Sequence, residues 1–341
     1  MAVQPPGGPI PIVLDTDMGT DVDDALALTL ALASPELDLL GVTVVDGNVE
    51  LRARMTARLL GMAGREDIPV IVGEGQPIGV GRGPTHFGHE GEGLLDVPWN
   101  GPEATILEGA AAEWLVEFSR ERPYFLSAVG PFTNVARAVE LDPTYPSRTL
   151  GLAVMGGMVH ADSYTQPWLD FFAATDIPPN HMDHNTASDI EAAVTMARAG
   201  FEMTWVTAEL TFPTILERGA IQQFRGSGST LGDRLATMVE IWSERHYRRI
   251  PRRNEVADPI AADAVASLHD PLTIASVFGG EWLQTRDHWL AFGTSDSLFE
   301  IREVLEREAE AKHMVSVGVD AAAFSEFYRD RVVGFLEGLD A

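Results

Sequence analysis

The chain has no cysteine, few basic residues and no long apolar run, and each absence removes a class of function. Without cysteine among its 341 residues, disulfides, thiolate metal sites and a cysteine nucleophile are excluded. That composition fits a reducing compartment, so a cytoplasmic protein is expected. Lysine and arginine number 24 against 51 aspartates and glutamates, a formal charge of −27. A surface of that sign repels phosphate backbones and anionic membranes and draws divalent cations, so neither nucleic acid nor a membrane is an expected partner. No stretch approaches the roughly 18 apolar residues that a membrane span needs. Residues 1–9 hold three prolines and two glycines; without a basic start or an apolar centre they read as a loose tail, not a signal peptide. The chain is 45% hydrophobic and 22% charged, an ordinary globular composition with length enough for a large core.

From Ile10 onward, strand-like apolar runs alternate with helical segments. Strands are expected over 10–14, 37–45, 68–72, 124–129, 149–155, 203–207, 288–292 and 314–319. Helices are expected from about 22, over 49–63, 103–122, 134–140 and 188–199, through most of 212–249, over 260–268 and 272–278, and over 321–336. Two stretches, 73–100 and 158–185, show little periodicity; long loops in a compact domain are usually functional. Strands alternating with helices predict a single α/β domain over residues 10–341, built on a mostly parallel, Rossmann-like sheet with helices on both faces.

The most informative stretch is the first. Ile10 to Leu14 is apolar, and Asp15, Asp17, Asp21, Asp23 and Asp24 follow within ten residues. Carboxylates so close repel one another unless a cation or proton lies among them. A solvated acidic loop would tolerate them, but this cluster lies at the carboxyl end of an expected central strand, where open α/β sheets place their ligands. A hard cation, calcium or magnesium, is therefore expected. An EF-hand is excluded, because the sixth and twelfth positions counted from Asp15 are Thr20 and Leu26 rather than glycine and glutamate. Asp15-Thr16-Asp17 also resembles the nucleophile motif of haloacid-dehalogenase-type phosphatases, yet Met18-Gly19-Thr20-Asp21 fits that motif poorly and leaves Asp23-Asp24 without a role.

A fuller match runs along the whole chain. Asp15, Asp17 and Gly19 with Asp23-Asp24, then Asp46-Gly47-Asn48, His89-Glu90-Gly91-Glu92-Gly93-Leu94, Gly130-Pro131-Phe132-Thr133-Asn134, Asp183-His184-Asn185 and Leu268-His269-Asp270-Pro271-Leu272 occur in order. This set resembles the nucleoside hydrolases, the inosine-uridine-preferring type of N-ribohydrolase. A decoy, Ala257-Asp258-Pro259-Ile260, lacks the histidine, and Asp270 is preferred as the late aspartate. Two residues stand extra before the Asp23-Asp24 pair, and Asp21, between them, has no assigned role. Asp183 is one methylene shorter than the family's glutamate, and His184 replaces an aromatic.

The resemblance implies a calcium ion held by Asp17, Asp24, the main-chain carbonyl of Thr133 and Asp270. It implies Asp17 as the general base toward water, and Asp23, Asn48, Asp183 and Asn185 as the grip on the ribose hydroxyls. His269 resembles a histidine that some members place near the leaving base as general acid, and His89 lies in a loop that helps close the pocket. Trp242, His246, Tyr247 and Arg249 lie where the family contacts the base, and Asn180 is the nearest match to an upstream ribose ligand. The substrate implied is a small-molecule nucleoside, purine or pyrimidine, and the assembly implied is a homodimer or homotetramer. Bland roles stand beside these. Taken alone, Asn48 reads first as a turn residue, Asp23 as a helix cap, and the late aromatics as one face of an amphipathic helix.

Overall fold

The computed structural model describes residues 8–175, 178–247, 260–295 and 298–339. Strand β1 (Ile10–Thr16) is buried on both faces, as a strand with parallel neighbours on each side requires. The chain continues through α1 (Asp23–Ala33), β2 (Leu37–Val44), α2 (Val49–Met62) and β3 (Val70–Val72). After an irregular stretch come β4 (Ile106–Leu107) and α3 (Ala111–Glu121). The helix expected from residue 103 starts later, because Ile106 and Leu107 pair with β3 and Gly109, at φ 93°, turns the chain before the helix.

Next are β5 (Phe125–Ala128), α4 (Thr133–Leu141) and β6 (Gly151–Met155). The stretch expected to be irregular contains a helix, α5 (Gln166–Thr175), whose buried Trp168, Phe171 and Phe172 follow the i, i+3, i+4 rule. Then come α6 (His184–Ser188), α7 (Ile190–Arg198), β7 (Met203–Val206), α8 (Ala208–Thr211), β8 (Ile215–Glu217), α9 (Arg218–Gly226) and α10 (Thr230–Arg245). The helix expected over 260–268 is instead β9 (Ala264–Ser267), which pairs antiparallel with β8. The chain closes with α11 (His269–Phe278), β10 (Leu283–Ser295), β11 (Leu298–Glu303), β12 (Ala311–Val319) and α12 (Ala321–Gly338).

The large sheet runs β11-β10-β12-β7-β6-β5-β1-β2-β3-β4, parallel except where β10 pairs with β12 and β11. It grows outward in both directions from the β1–β5 pair, so the topological switch point lies between those strands. Ile12 and Leu14 enter one apolar layer with α1, α2, α11 and α12, while Val13 enters the other with α3, α4 and α7. Side chains alternate along β1, and the carboxyl end of that strand opens directly onto the switch point.

Candidate active site

The turn after β1 is shaped by Gly19, whose φ of 105° leaves room for the Met55 side chain where a Cβ would lie 2.5 Å from it. The turn brings the start of α1 back over the strand end, and the start of α11 meets it there. The Asp23 carboxylate accepts the main-chain N–H of Asp270, and the Thr16 hydroxyl donates to Asp24. Carboxylate oxygens of Asp23, Asp24 and Asp270 lie within 4.8 Å of one another, all buried. Two helix N-termini therefore converge on three acids, which offsets part of their charge.

That offset is incomplete. Burial first, and repulsion from the neighbouring acids second, push Asp23, Asp24 and Asp270 well above the usual carboxylate range. Asp21 is pushed up to about 8, again chiefly by burial, although it accepts the Val22 N–H. Such groups ionise together only when positive charge lies among them. Oxygen donors alone suit a hard divalent cation, so Asp23, Asp24 and Asp270, with Asp17 close by, could hold one.

A second group forms behind Asp17. Ligand atoms of Asp17, Asp46 and His184 lie within 4.8 Å of one another, and His184 Nε2 is 3.8 Å from Asp17 Oδ2. Arg52, fully covered inside α2, donates to the carbonyls of Asp17, Met18 and Asp46 and pairs with the Asp46 carboxylate at 3.1 Å. One guanidinium thus ties the turn after β1 to the turn after β2. Asp15, fully buried, accepts from Thr43 and from Asn134 Nδ2 and joins β1 to β2 and α4. Replacing Arg52 by methionine leaves Asp46 buried without its partner and should destabilise the protein by about 3–5 kcal/mol. Calorimetry of the cation-free protein measures this, and an unchanged Tm would contradict the role.

These turns border a cavity of about 360 Å³. Asp17, Asp21, Asp23, Asp24 and Asp270 line it, together with His184, Asn185 and His269. Asn185 Nδ2 donates to the carbonyls of Val129 and Met155, which leaves its amide oxygen for a ligand. His269 Nδ1 lies 2.7 Å from the Thr211 hydroxyl, which gives its proton to the Ala208 carbonyl. With the hydroxyl turned that way, Nδ1 donates to it and Nε2 is the bare nitrogen. Burial lowers the His269 pKa to about 4, so the ring is neutral at pH 7. The general-acid role expected of it needs an imidazolium, which this environment disfavours.

Other expected residues lie elsewhere. Asn48 is exposed, is not on the cavity wall and caps α2 by accepting from Leu51 N. Asp183, shorter than a glutamate, closes on its own turn: it accepts the Gly157 N–H at 2.8 Å and the Thr186 hydroxyl, and it is not on the cavity wall. Thr133 opens α4 with its hydroxyl 2.8 Å from Asp189. Gly130, in the same turn, lies so close to Asp17 that a Cβ there would come 2.8 Å from its nitrogen. His89 sits behind the wall, its ring tilted against those of Trp242 and His246 at separations of 5.9 and 4.6 Å. Residues 1–7, Arg249, Asp258 and the side chain of Asn180 lie outside the described residues.

The aromatic part of the wall comes from separate segments. Phe87 from the first irregular stretch, Trp168 from α5, Phe212 after α8, and Trp242 with Tyr247 from α10 and its end line the cavity. Of these only Trp242 and Tyr247 were expected. Arg82 also lines it, and Phe212 stands edge-on to His269 at 4.8 Å. A buried cluster of oxygens beside aromatic faces suits a ligand that is polyhydroxylated at one end and flat at the other.

Comparison with known proteins points the same way. Residues 12–326 match the family described as inosine-uridine preferring nucleoside hydrolase. The chain is 28% identical to a probable uridine nucleosidase 2 of Arabidopsis thaliana, covering 78% of this chain and 77% of that one. It is 29% identical to a pyrimidine-specific ribonucleoside hydrolase RihA of an Enterobacter species, covering 96% and 98%. In fold it resembles a purine-preferring ribonucleoside hydrolase from Gardnerella vaginalis, with a TM-score of 0.76 over 96% of this chain and 99% of that one at 22% identity.

Proposed function

Since the chain belongs to the inosine-uridine preferring nucleoside hydrolase family, we propose that it hydrolyses the N-glycosidic bond of ribonucleosides in a calcium-dependent reaction, giving free base and ribose. The observation that carries this reading is the buried oxygen cluster of Asp23, Asp24 and Asp270 beside Asp17 in one cavity with aromatic faces. The resemblance implies Asp17, Asp24, Asp270 and the Thr133 carbonyl as the residues that would hold the ion; Asp24 and Asp270 lie in one buried group with Asp23, and Asp17 lies beside it in the same cavity. When bound, the ion supplies positive charge that acidifies water and orients the ribose hydroxyls.

Asp17 takes a proton from the attacking water as the water oxygen bonds to C1′ and the bond from C1′ to the base nitrogen breaks, the base leaving with a proton from solvent. Breaking that bond builds positive charge on the sugar ring, which a cluster of carboxylates stabilises. Asp23 and Asn185 grip the ribose hydroxyls. Neutral His269 contributes the bare Nε2 as an acceptor near the base. Trp242 and Phe87 offer flat faces to the base. Truncating Trp242 to alanine removes a stacking surface worth about 1 kcal/mol, so KM should rise roughly fivefold while kcat changes little; steady-state kinetics on the preferred nucleoside measures both.

The test is release of base and reducing sugar from uridine, cytidine, inosine and adenosine, with and without chelator. Uridine heads the panel because the sequence relatives carry pyrimidine names. Chelator-sensitive release supports the reading. Phosphate release from a phosphomonoester without ribose release would favour the phosphatase alternative, and binding without turnover a ribose-binding module. Among the described residues no helix is long and apolar enough to cross a membrane, and a cytoplasmic homodimer or homotetramer is the assembly we propose from the family resemblance.

A further inference from the structure

Far from the aspartates along the sheet, His160, His288 and Glu303 come together, and none of the three lines the cavity. His288 lies on β10 on the same face as Leu290 and Phe292, which are core residues, so its ring is carried into the edge of the apolar layer. It is 9% exposed; its Nδ1 faces the Glu303 carboxylate at 3.2 Å, and its Nε2 is buried without a hydrogen-bond partner among the described residues. A buried polar atom left without a partner is costly, so the bare ring nitrogen there needs an explanation. Its cross-strand neighbour His313 supplies none, being engaged through Nδ1 with Trp205 at 3.0 Å.

We propose that His160, His288 and Glu303 form a second metal site, for a borderline divalent ion such as Zn2+. One imidazole nitrogen from each histidine and one carboxylate oxygen of Glu303 lie within 4.8 Å of one another. Glu303 Oε1 is 3.2 Å from His288 Nδ1, and the His160 ring stands edge-on to that of His288 at 5.5 Å between centroids. Ligands about 2.0–2.2 Å from a tetrahedral ion stand about 3.4 Å apart, a span that small rotations of half-buried His160 and exposed Glu303 reach. Two imidazoles and one carboxylate select zinc over calcium, whereas the oxygen-only aspartates select the hard ion. His160 is already positioned, because Glu209 Oε1 accepts the N–H groups of Val159 and His160 at 3.1 and 2.9 Å. A filled site joins the connection after β6 to the β10–β11 hairpin, and that connection leads directly into α5 and Trp168 on the cavity wall.

The test uses the full chain, stripped by chelator and reloaded with saturating Ca2+ so that the aspartates are occupied, then titrated with Zn2+ in a calorimeter. One zinc per chain is expected. His160→Ala and Glu303→Gln should each weaken it about a hundredfold, at the upper end of what disturbing a ligand shell costs, and X-ray absorption at the zinc edge should show imidazole scattering. Neither variant touches the cavity, and Glu303 is exposed, so E303Q keeps the test alive even where His288→Ala does not fold. Zinc uptake that survives both H160A and E303Q, that disappears in Asp24→Asn, or that is absent at micromolar concentration would overturn the proposal.

Discussion

Replacing Asp17 by asparagine should lower kcat by about 10²–10⁴-fold, the range lost when a positioned general base is removed, while the fold persists and Ca2+ still binds, though less tightly. Asparagine keeps an oxygen donor and the side-chain volume, so the substitution separates proton transfer from metal ligation. The surroundings of Asp17 suit a base. Burial is the largest influence on its carboxyl and raises the pKa, and Arg52 opposes that rise. That rise belongs to the cation-free protein; a bound ion offsets it and holds Asp17 as the carboxylate that can take a proton from water. His184, 3.8 Å from Oδ2, and Arg52, on the carbonyl of the same residue, keep the side chain and its turn in place. Steady-state kinetics, with calorimetry for Ca2+ and circular dichroism for the fold, measures the effect. A kcat within about tenfold of the unsubstituted enzyme, on the same scale, would reduce Asp17 to a metal ligand. Full loss of Ca2+ binding in D17N would leave the two roles fused.

Much of the sheet was legible because its strands are short apolar runs separated by helical periods, and parallel pairing buries such runs on both faces. What the sequence hid was set by distant pairing. Ala264 to Ser267 looks as good a helix as a strand until Ile215 to Glu217 comes alongside. At the site, the acids of the first turn and Asp270 stood out as charges that needed a partner. Asp46 did not: nothing local in the Asp46-Gly47-Asn48 turn marks it as a neighbour of Asp17, and its left-handed backbone, at φ 70°, is visible only in the fold. Arg52 was findable: it lies three residues after Val49 and four before Thr56 on the buried face of α2, and a cation on an apolar face implies an acceptor. Phe87, Trp168 and Phe212 share no local pattern. Only tertiary packing of three separate segments makes them one wall.

The second large effect concerns the charge of the cluster itself. A carboxyl whose folded pKa lies above its unfolded value binds its proton more tightly in the native state, so it contributes stability at low pH that is lost as pH rises through the folded value. Asp21, at about 8, and Asp23, Asp24 and Asp270, raised well above the usual range, all act in this direction. Cation-free protein should therefore lose stability between about pH 4 and pH 8, opposite to a protein held by salt-bridged carboxylates. Saturating Ca2+ should remove most of that slope, because the ion binds the folded state alone and supplies the missing positive charge. Asp270→Asn should then change sign with conditions. Without Ca2+ at pH 8 it removes one repelled charge and raises Tm; with Ca2+ it leaves a neutral oxygen that holds the ion less tightly than a carboxylate, so Tm falls below that of the loaded parent and nucleoside turnover drops. Differential scanning calorimetry at pH 5 and pH 8, with chelator and with Ca2+, reads all four arms. A metal-free Tm that rises from pH 5 to pH 8, or a D270N variant as strongly stabilised by Ca2+ as its parent, would mean that Asp270 is not part of a cation site and that the acids of the first turn are held apart by some other means.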